Sequence, residues 1–367
     1  MGQARGRVLA TKAVADRDDP PLDRALRDGY ALRAYDTPGT LKLIGEVRAG
    51  AVFPGEIPAR HAVEIMTGAP VPAGADAVVM LEQAELEGRS VHVGAEVEPG
   101  AHVSPRGVLA RRGDMVLKAG TRLEYAEMAL LAGIGATQVV VYRKPRVAIL
   151  TTGDELVEAS TRPLPHQVRN SNAWSLAAQV ERAGGEPLVL ATAPDSLERT
   201  VVLIGEGLKA DMLLIAGGVS AGRYDLVEHA LARWSAEFYF DGVEIQPGRP
   251  LVFGKAQEKL FFGLPGNPVS TMVCFELLAR AALELLSGQT ESVLPLLESV
   301  LTEDFRHEPG LMRCLPARLS SGGGEVTPVP WHGSGDIAAV CRGNCFLVAD
   351  ADTPKYRAGE RIRVLPR

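Results

Sequence analysis

Apolar residues along the chain follow three rhythms in turn. Between 41 and 93 they form short β-rich runs (Leu-Lys-Leu-Ile, Ala-Val-Glu-Ile-Met, Ala-Val-Val-Met-Leu) separated by Gly and Pro, the pattern of an all-β segment. From 145 to 289 strand-length runs alternate with stretches of helical period: strands at 146–150, 187–191, 211–216 and 260–264, helices at 173–183 and 196–209, and a last helix ending near 286. Such alternation predicts a parallel sheet with helices on both faces. Beyond 289 the β pattern returns near 299, 312, 325, 346 and 361, which suggests a small barrel-like domain. The fold class is therefore multidomain α/β, with a central parallel-sheet domain at 144–289, a β-rich insertion at 28–114 and a C-terminal β-barrel-like domain at 290–367. Residues 1–27 and 115–143 are left as a linking domain, with a helix expected over 124–134.

The chain has 367 residues, too many for one compact core. Lys and Arg number 39 against 45 Asp and Glu, so the net charge of −6 argues against a nucleic-acid partner. Backbone donors and a few Arg side chains still leave room for a small anionic ligand. No apolar run reaches the roughly 18 residues of a membrane helix, and no apolar signal core opens the chain, so no membrane partner is expected. The four Cys form no paired framework, which implies reduced thiols and a cytoplasmic location. Cys341 and Cys345 lack a second ligand pair for zinc.

Two turns stand out chemically. The run Met-Leu-Leu-Ile-Ala at 212–216 breaks on Gly217-Gly218 and continues as Val-Ser-Ala-Gly-Arg-Tyr-Asp to Asp225, where a helix is expected to start. A strand feeding a Gly-rich turn at a helix start offers backbone N–H groups to an anion. The run Leu-Pro-Gly-Asn-Pro-Val-Ser at 264–270 repeats the arrangement. Ligands of open α/β sheets collect at the carboxyl ends of the strands, where Glu155, Asp195 and Asp225 could converge. Clustered carboxylates repel unless a cation or a proton compensates, and Mg2+ suits a few carboxylates plus phosphate oxygens. Taken singly, Asp195 could instead cap the helix that follows it.

These two turns, with Thr-Thr-Gly-Asp-Glu-Leu at 151–156 upstream, resemble the molybdopterin molybdenumtransferases (the MoeA/gephyrin E-domain family). The resemblance extends over nearly the whole chain, through Asp28-Gly-Tyr-Ala, Thr67-Gly-Ala-Pro-Val-Pro and Trp331-His-Gly-Ser-Gly-Asp-Ile. It implies an enzyme that inserts molybdate into adenylylated molybdopterin with release of AMP, assisted by Mg2+. It implies that Gly217, Gly218, Ser220 and Gly222 cradle phosphate or pterin, with Pro265, Gly266, Asn267, Pro268 and Ser270 shaping the opposite wall. Asp225 and Glu155 would hold the cation and Asp195 would order water or ligand hydroxyls. Arg249, Ser270, Arg313 and Ser334 would bind molybdate. Asp28, Thr67 and Asp114 would arrive from the second subunit of a homodimer built partly through the linking domain.

The chain also departs from the family pattern. Ala25 and Arg27 stand where Ser and Met are usual, Gln246 and Gly242 where Lys is usual, and little precedes residue 6 where a first long helix is usual. These departures keep open a non-catalytic paralogue that binds the pterin without inserting metal. A related transferase that adenylylates molybdopterin with ATP shares the central domain but lacks the β-rich insertion and the tail. An unrelated sugar- or nucleotide-phosphate α/β domain is the remaining alternative.

Overall fold

A computed structural model describes residues 1–218 and 226–367, so Ser220, Gly222 and Asp225 lie outside the described residues. The chain forms two compact units. One comprises Met1–Arg5, Thr11–Ala119 and Leu123–Val140, the other Gly6–Ala10, Gly120–Arg122 and Val141–Arg367.

The first unit is built on a six-stranded sheet: β1 (Gly29–Leu32), β2 (Gly39–Val47), β3 (His61–Ile65), β4 (Ala77–Met80), β5 (Ala84–Glu87) and β6 (Ser90–Val93), in the order β4-β1-β3-β2-β6-β5. All four residues of β1 are buried, and alternation sends Tyr30 and Leu32 into one core cluster and Ala31 into another. Gly29 is required by space, since a Cβ there would lie 1.9 Å from the Val79 carbonyl oxygen. The only α-helix of this unit, α1 (Tyr125–Gly133), starts on a capping box between Glu124 and Glu127.

In the second unit, β7 (Arg146–Thr151), α2 (Asn172–Arg182), β8 (Glu186–Val189), α3 (Leu197–Gly207), β9 (Met212–Ala216), α4 (Leu226–Ala232), β10 (Glu237–Phe240), β11 (Ile245–Gln246), β12 (Val252–Ala256) and β13 (Lys259–Leu264) precede one long helical run. That run comprises α5 (Pro268–Cys274), a π-helical turn (Phe275–Ala279) and α6 (Arg280–Leu286). The central sheet has the order β8-β7-β9-β13-β12-β10. Val147 and Ile149 pack with Leu176, Val180 and Phe275 on one face, while Ala148 and Leu150 pack with Leu203, Ile204 and Leu231 on the other. Each Leu or Phe buried this way contributes roughly 1.5–3 kcal/mol.

The expected central parallel-sheet domain is present, and its sheet is extended at one edge into a mixed one. Strands β8, β7, β9 and β13 are parallel, but β12 and β10 add antiparallel. Only Gln257 and Glu258, both at positive φ, connect β12 to β13, a link that closes a hairpin and is far too short for a crossover.

The C-terminal strands β14 (Leu297–Leu301), β15 (Met312–Leu319), β16 (Glu325–Pro328), β17 (Cys345–Ala349) and β18 (Arg361–Pro366) pair in the order β15-β16-β14-β18-β17. Pairing of β17 back onto β15 closes the ring, which gives the expected barrel. A short helix, α7 (Ile337–Arg342), is capped by Asp336, whose carboxylate accepts from the Ala339 N–H.

Candidate active site

Register brings the three key turns to one level. Thr151 of β7 pairs with Ala216 of β9, which pairs with Leu264 of β13, so all three strands end together. The chain leaves them as Thr152-Gly153, Gly217-Gly218 and Pro265-Gly266. The Thr152 N–H donates to the Ala216 carbonyl at 3.1 Å and the Gly217 N–H to the Leu264 carbonyl at 3.0 Å, which extends the ladder into the turns. The two glycine turns abut, because a Cβ on Gly266 would stand 3.6 Å from the Gly217 Cα. Gly217 has φ +99° and faces the Thr152 carbonyl, so a side chain there would be both strained and crowded.

Around these ends opens a cleft of about 870 Å³. Glu155 and Asp195 line it together with Gly217, Gly218, Gly266 and Asn267. Pro265 and Pro268 complete that wall, as does Gly335 from the C-terminal domain. Glu155 and Asp195 are exposed, and neither carboxylate has a hydrogen-bond or ion-pair partner among the described residues. Asp195 does not cap α3: the N-cap is Ser196, whose hydroxyl points to Glu198. The Asp195 backbone instead donates to Asp154 Oδ1 at 3.1 Å, which ties the loops after β7 and β8.

A second cavity of about 470 Å³ shares Pro250 with the cleft. Arg249, Ser270 and Ser334 line it, joined by Gln246 and Trp331. Ser270 is 4% exposed, whereas Arg249 is exposed to solvent. The Val269 N–H donates to the Ser334 carbonyl at 2.9 Å, so the loop from the barrel is pinned to the start of α5. Arg313 is not among the lining residues. It pairs with Gln246 across β15 and β11, and its Nε is buried without a partner.

The remaining expected residues belong to the first unit. Asp28 directly precedes β1 and Thr67 follows β3; the antiparallel pair Gly29–Ile65 brings them together. Asp28 Oδ1 accepts from the Thr67 N–H and hydroxyl, and these bonds, the backbone one first, hold its pKa below the ordinary value. Asp114 is not brought to them by any contact. It closes its own turn by accepting from the Arg111 N–H at 2.8 Å.

The residues missed by sequence reasoning are the polar run Arg169-Asn170-Ser171-Asn172, all lining the cleft, and Trp331 in the second cavity. The tetrad's only signal was its polarity where an amphipathic helix begins, which reads equally well as an ordinary loop, while Trp331 stood in the quoted Trp-His-Gly-Ser run without a role of its own.

Comparison with known proteins matches consecutive stretches of the chain to the MoeA N-terminal region (domain I and II) over 1–135, a probable molybdopterin binding domain over 148–285 and the MoeA C-terminal region (domain IV) over 298–366. The molybdopterin molybdenumtransferase of Bacillus subtilis is 36% identical over 375 residues, covering 98% of this chain and 87% of its own. That of Haemophilus influenzae is 32% identical over 374 residues, covering 100% and 92%. The crystal structure of the molybdopterin biosynthesis MoeA protein from Pyrococcus horikoshii OT3 superimposes with a TM-score of 0.80 at 30% identity, covering 100% of this chain and 93% of that one. The likeness thus runs through every domain and nearly the full length, and the chain belongs to the molybdopterin molybdenumtransferase (MoeA) family.

Proposed function

We propose that this protein inserts molybdate into adenylylated molybdopterin and releases AMP. The observation that carries the reading is the cleft at the level ends of β7, β9 and β13, where two carboxylates without a partner among the described residues stand beside two abutting glycine turns. The Gly217-Gly218 turn would hold a phosphate through its backbone, since no side chain stands in the way. Pro265, Gly266, Asn267 and Pro268 would form the facing wall.

Among the described residues no three or more His, Cys, Asp or Glu side chains cluster tightly enough to hold a metal alone. Glu155 and Asp195 nevertheless offer the oxygen donors that Mg2+ prefers, with remaining positions left to phosphate oxygens, water and Asp225, which lies outside the described residues. Bound there, Mg2+ would neutralise charge on the pyrophosphate as its P–O–P bond is cleaved by water. Asp195 would order that water.

Molybdate is a substrate, and the second cavity suits it through Arg249 and the hydroxyls of Ser270 and Ser334. Arg313, with its unpartnered buried Nε, would add a further donor. Two thiols of the dithiolene replace one oxo group of molybdate, and their protons leave with it as water. We assign the linking domain to 1–27 plus 115–143, the insertion to 28–114, the pterin domain to 144–289 and the barrel to 290–367. In a cytoplasmic homodimer, Asp28, Thr67 and Asp114 would complete the partner's cleft.

The test is AMP release from adenylylated molybdopterin by the purified protein with and without molybdate. Release that rises with molybdate supports insertion. Binding without release would leave a pterin-binding paralogue, a reading favoured by Arg249 being the sole cationic residue among the described residues that line the second cavity. ATP consumption without molybdate would point to adenylylation.

A further inference from the structure

Two asparagines enter the cleft wall two residues apart, and their hydrogen bonding differs. Asn170 is fully engaged: its amide nitrogen donates to Thr151 Oγ1 at 2.8 Å and Thr192 Oγ1 at 3.3 Å, and its oxygen accepts from the Ala173 N–H at 3.1 Å. Asn172 is only half engaged. Its Nδ2 donates to the Gly266 carbonyl at 2.7 Å, while its Oδ1 is buried with no partner. The Gly266 carbonyl can only accept, so the amide cannot be turned over, and the orphan atom is an acceptor. The residue is 8% exposed.

The described buried side-chain atoms without a partner belong to Asn172, Gln179, Gln289, His307 and Arg313. Of these residues Asn172 alone lines the cleft. A buried orphan acceptor is costly in the free protein, and that cost is recovered when a ligand supplies a donor. Ionised phosphate oxygens cannot donate. A pterin can, through the ring N–H and 2-amino group on its pyrimidine edge.

We infer that Asn172 Oδ1 accepts a hydrogen bond from the N–H edge of the pterin, which makes Asn172 the residue that selects the heterocycle. The hydrogen bond from Nδ2 to the Gly266 carbonyl fixes the orientation of the amide. The inference rests on the proposed function, since it takes the cleft's ligand to be a pterin.

The experiment measures the affinity of the full-length protein for 6-hydroxymethylpterin and for AMP, in wild type and Asn172→Ala. The variant is expected to bind the pterin roughly tenfold more weakly and AMP within about twofold of wild type. Unchanged AMP binding also shows that the variant's cleft is folded. A ligand-side arm needs no variant: a pteridin-4-one lacking the 2-amino group should bind wild type about tenfold more weakly than the pterin. Equal losses for pterin and AMP, or no loss of pterin affinity in either arm, overturn the inference and leave the function standing. If wild type binds neither ligand, the reading of the cleft falls and takes this inference with it.

Discussion

Asp28 and Thr67 meet through two hydrogen bonds on one oxygen: Asp28 Oδ1 accepts from the Thr67 backbone N–H at 2.6 Å and from its hydroxyl at 2.8 Å. Both residues are exposed, so the pair holds a charged carboxylate in one orientation at the rim of the first unit. Thr67→Val keeps the shape and the backbone bond but removes the hydroxyl. The Asp28 pKa should then rise toward 3.8, as read by NMR titration, with little change in melting temperature. A folded-state pKa depressed below 3.8 means that this pair stabilises above that pH and stops doing so as pH falls through the folded value. If the pair serves a partner's cleft, AMP release should drop well before stability does.

Glu155 and Asp195 have no partner among the described residues, and this gives a second expectation. Glu155→Gln and Asp195→Asn remove charge that no described cation balances, so neither should destabilise the fold. Each should lower molybdate-dependent AMP release by roughly 100-fold, in line with losing a charge from a preorganised phosphate site. The Mg2+ concentration for half-maximal rate should rise in parallel. Full activity in both variants would remove the carboxylates from the reaction.

Gly217 and Gly266 both line the cleft, but only Gly217 is also needed for its backbone conformation. Alanine at 217 must adopt φ +99° with its Cβ 2.9 Å from the Thr152 carbonyl oxygen, so Gly217→Ala should cost roughly 1–3 kcal/mol by denaturant unfolding. At 266 the nearest atom is 3.6 Å from the added Cβ, an ordinary contact. Gly266→Ala should therefore melt like wild type yet bind AMP less tightly, since the methyl projects beside the phosphate turn.

How far the fold could be read in advance depended on the range of the interaction. The strands ending at Thr151, Ala216 and Leu264 were visible as apolar runs, and the turns after them as Gly and Pro. The antiparallel addition of β12 was missed because a hairpin at Gln257-Glu258 lacks the usual Asn or Gly. Asn172 was missed because a half-satisfied amide is defined by what surrounds it.

Asp211 makes a pH prediction. The Arg143 guanidinium, bonded at 2.6 Å, and the Arg146 N–H at 2.8 Å push its pKa down to about 2. Its contribution is complete above 3.8 and is lost as pH falls from there to about 2. Asp211→Asn should lower the melting temperature at neutral pH, and the difference from wild type should vanish across that window.

The cysteines differ sharply in reactivity. Burial pushes the Cys274 and Cys314 thiols up to about 12 and that of Cys345 up to about 11, whereas Cys341 is exposed. Iodoacetamide at neutral pH should add one label to the native protein, at Cys341, and four after denaturation, counted by mass spectrometry.

The sequence by itself determined the α/β class, the β-rich flanks, the glycine turns and the carboxylates after the strands, because periodicity and turn chemistry act over a few residues. Only the tertiary structure decided that Thr151, Ala216 and Leu264 end level, that Glu155 and Asp195 share one cleft, and that Arg249, Ser270 and Ser334 open a second cavity beside it. Strand register and the docking of the barrel loop onto α5 join residues far apart in the chain, and no local pattern encodes a contact of that range.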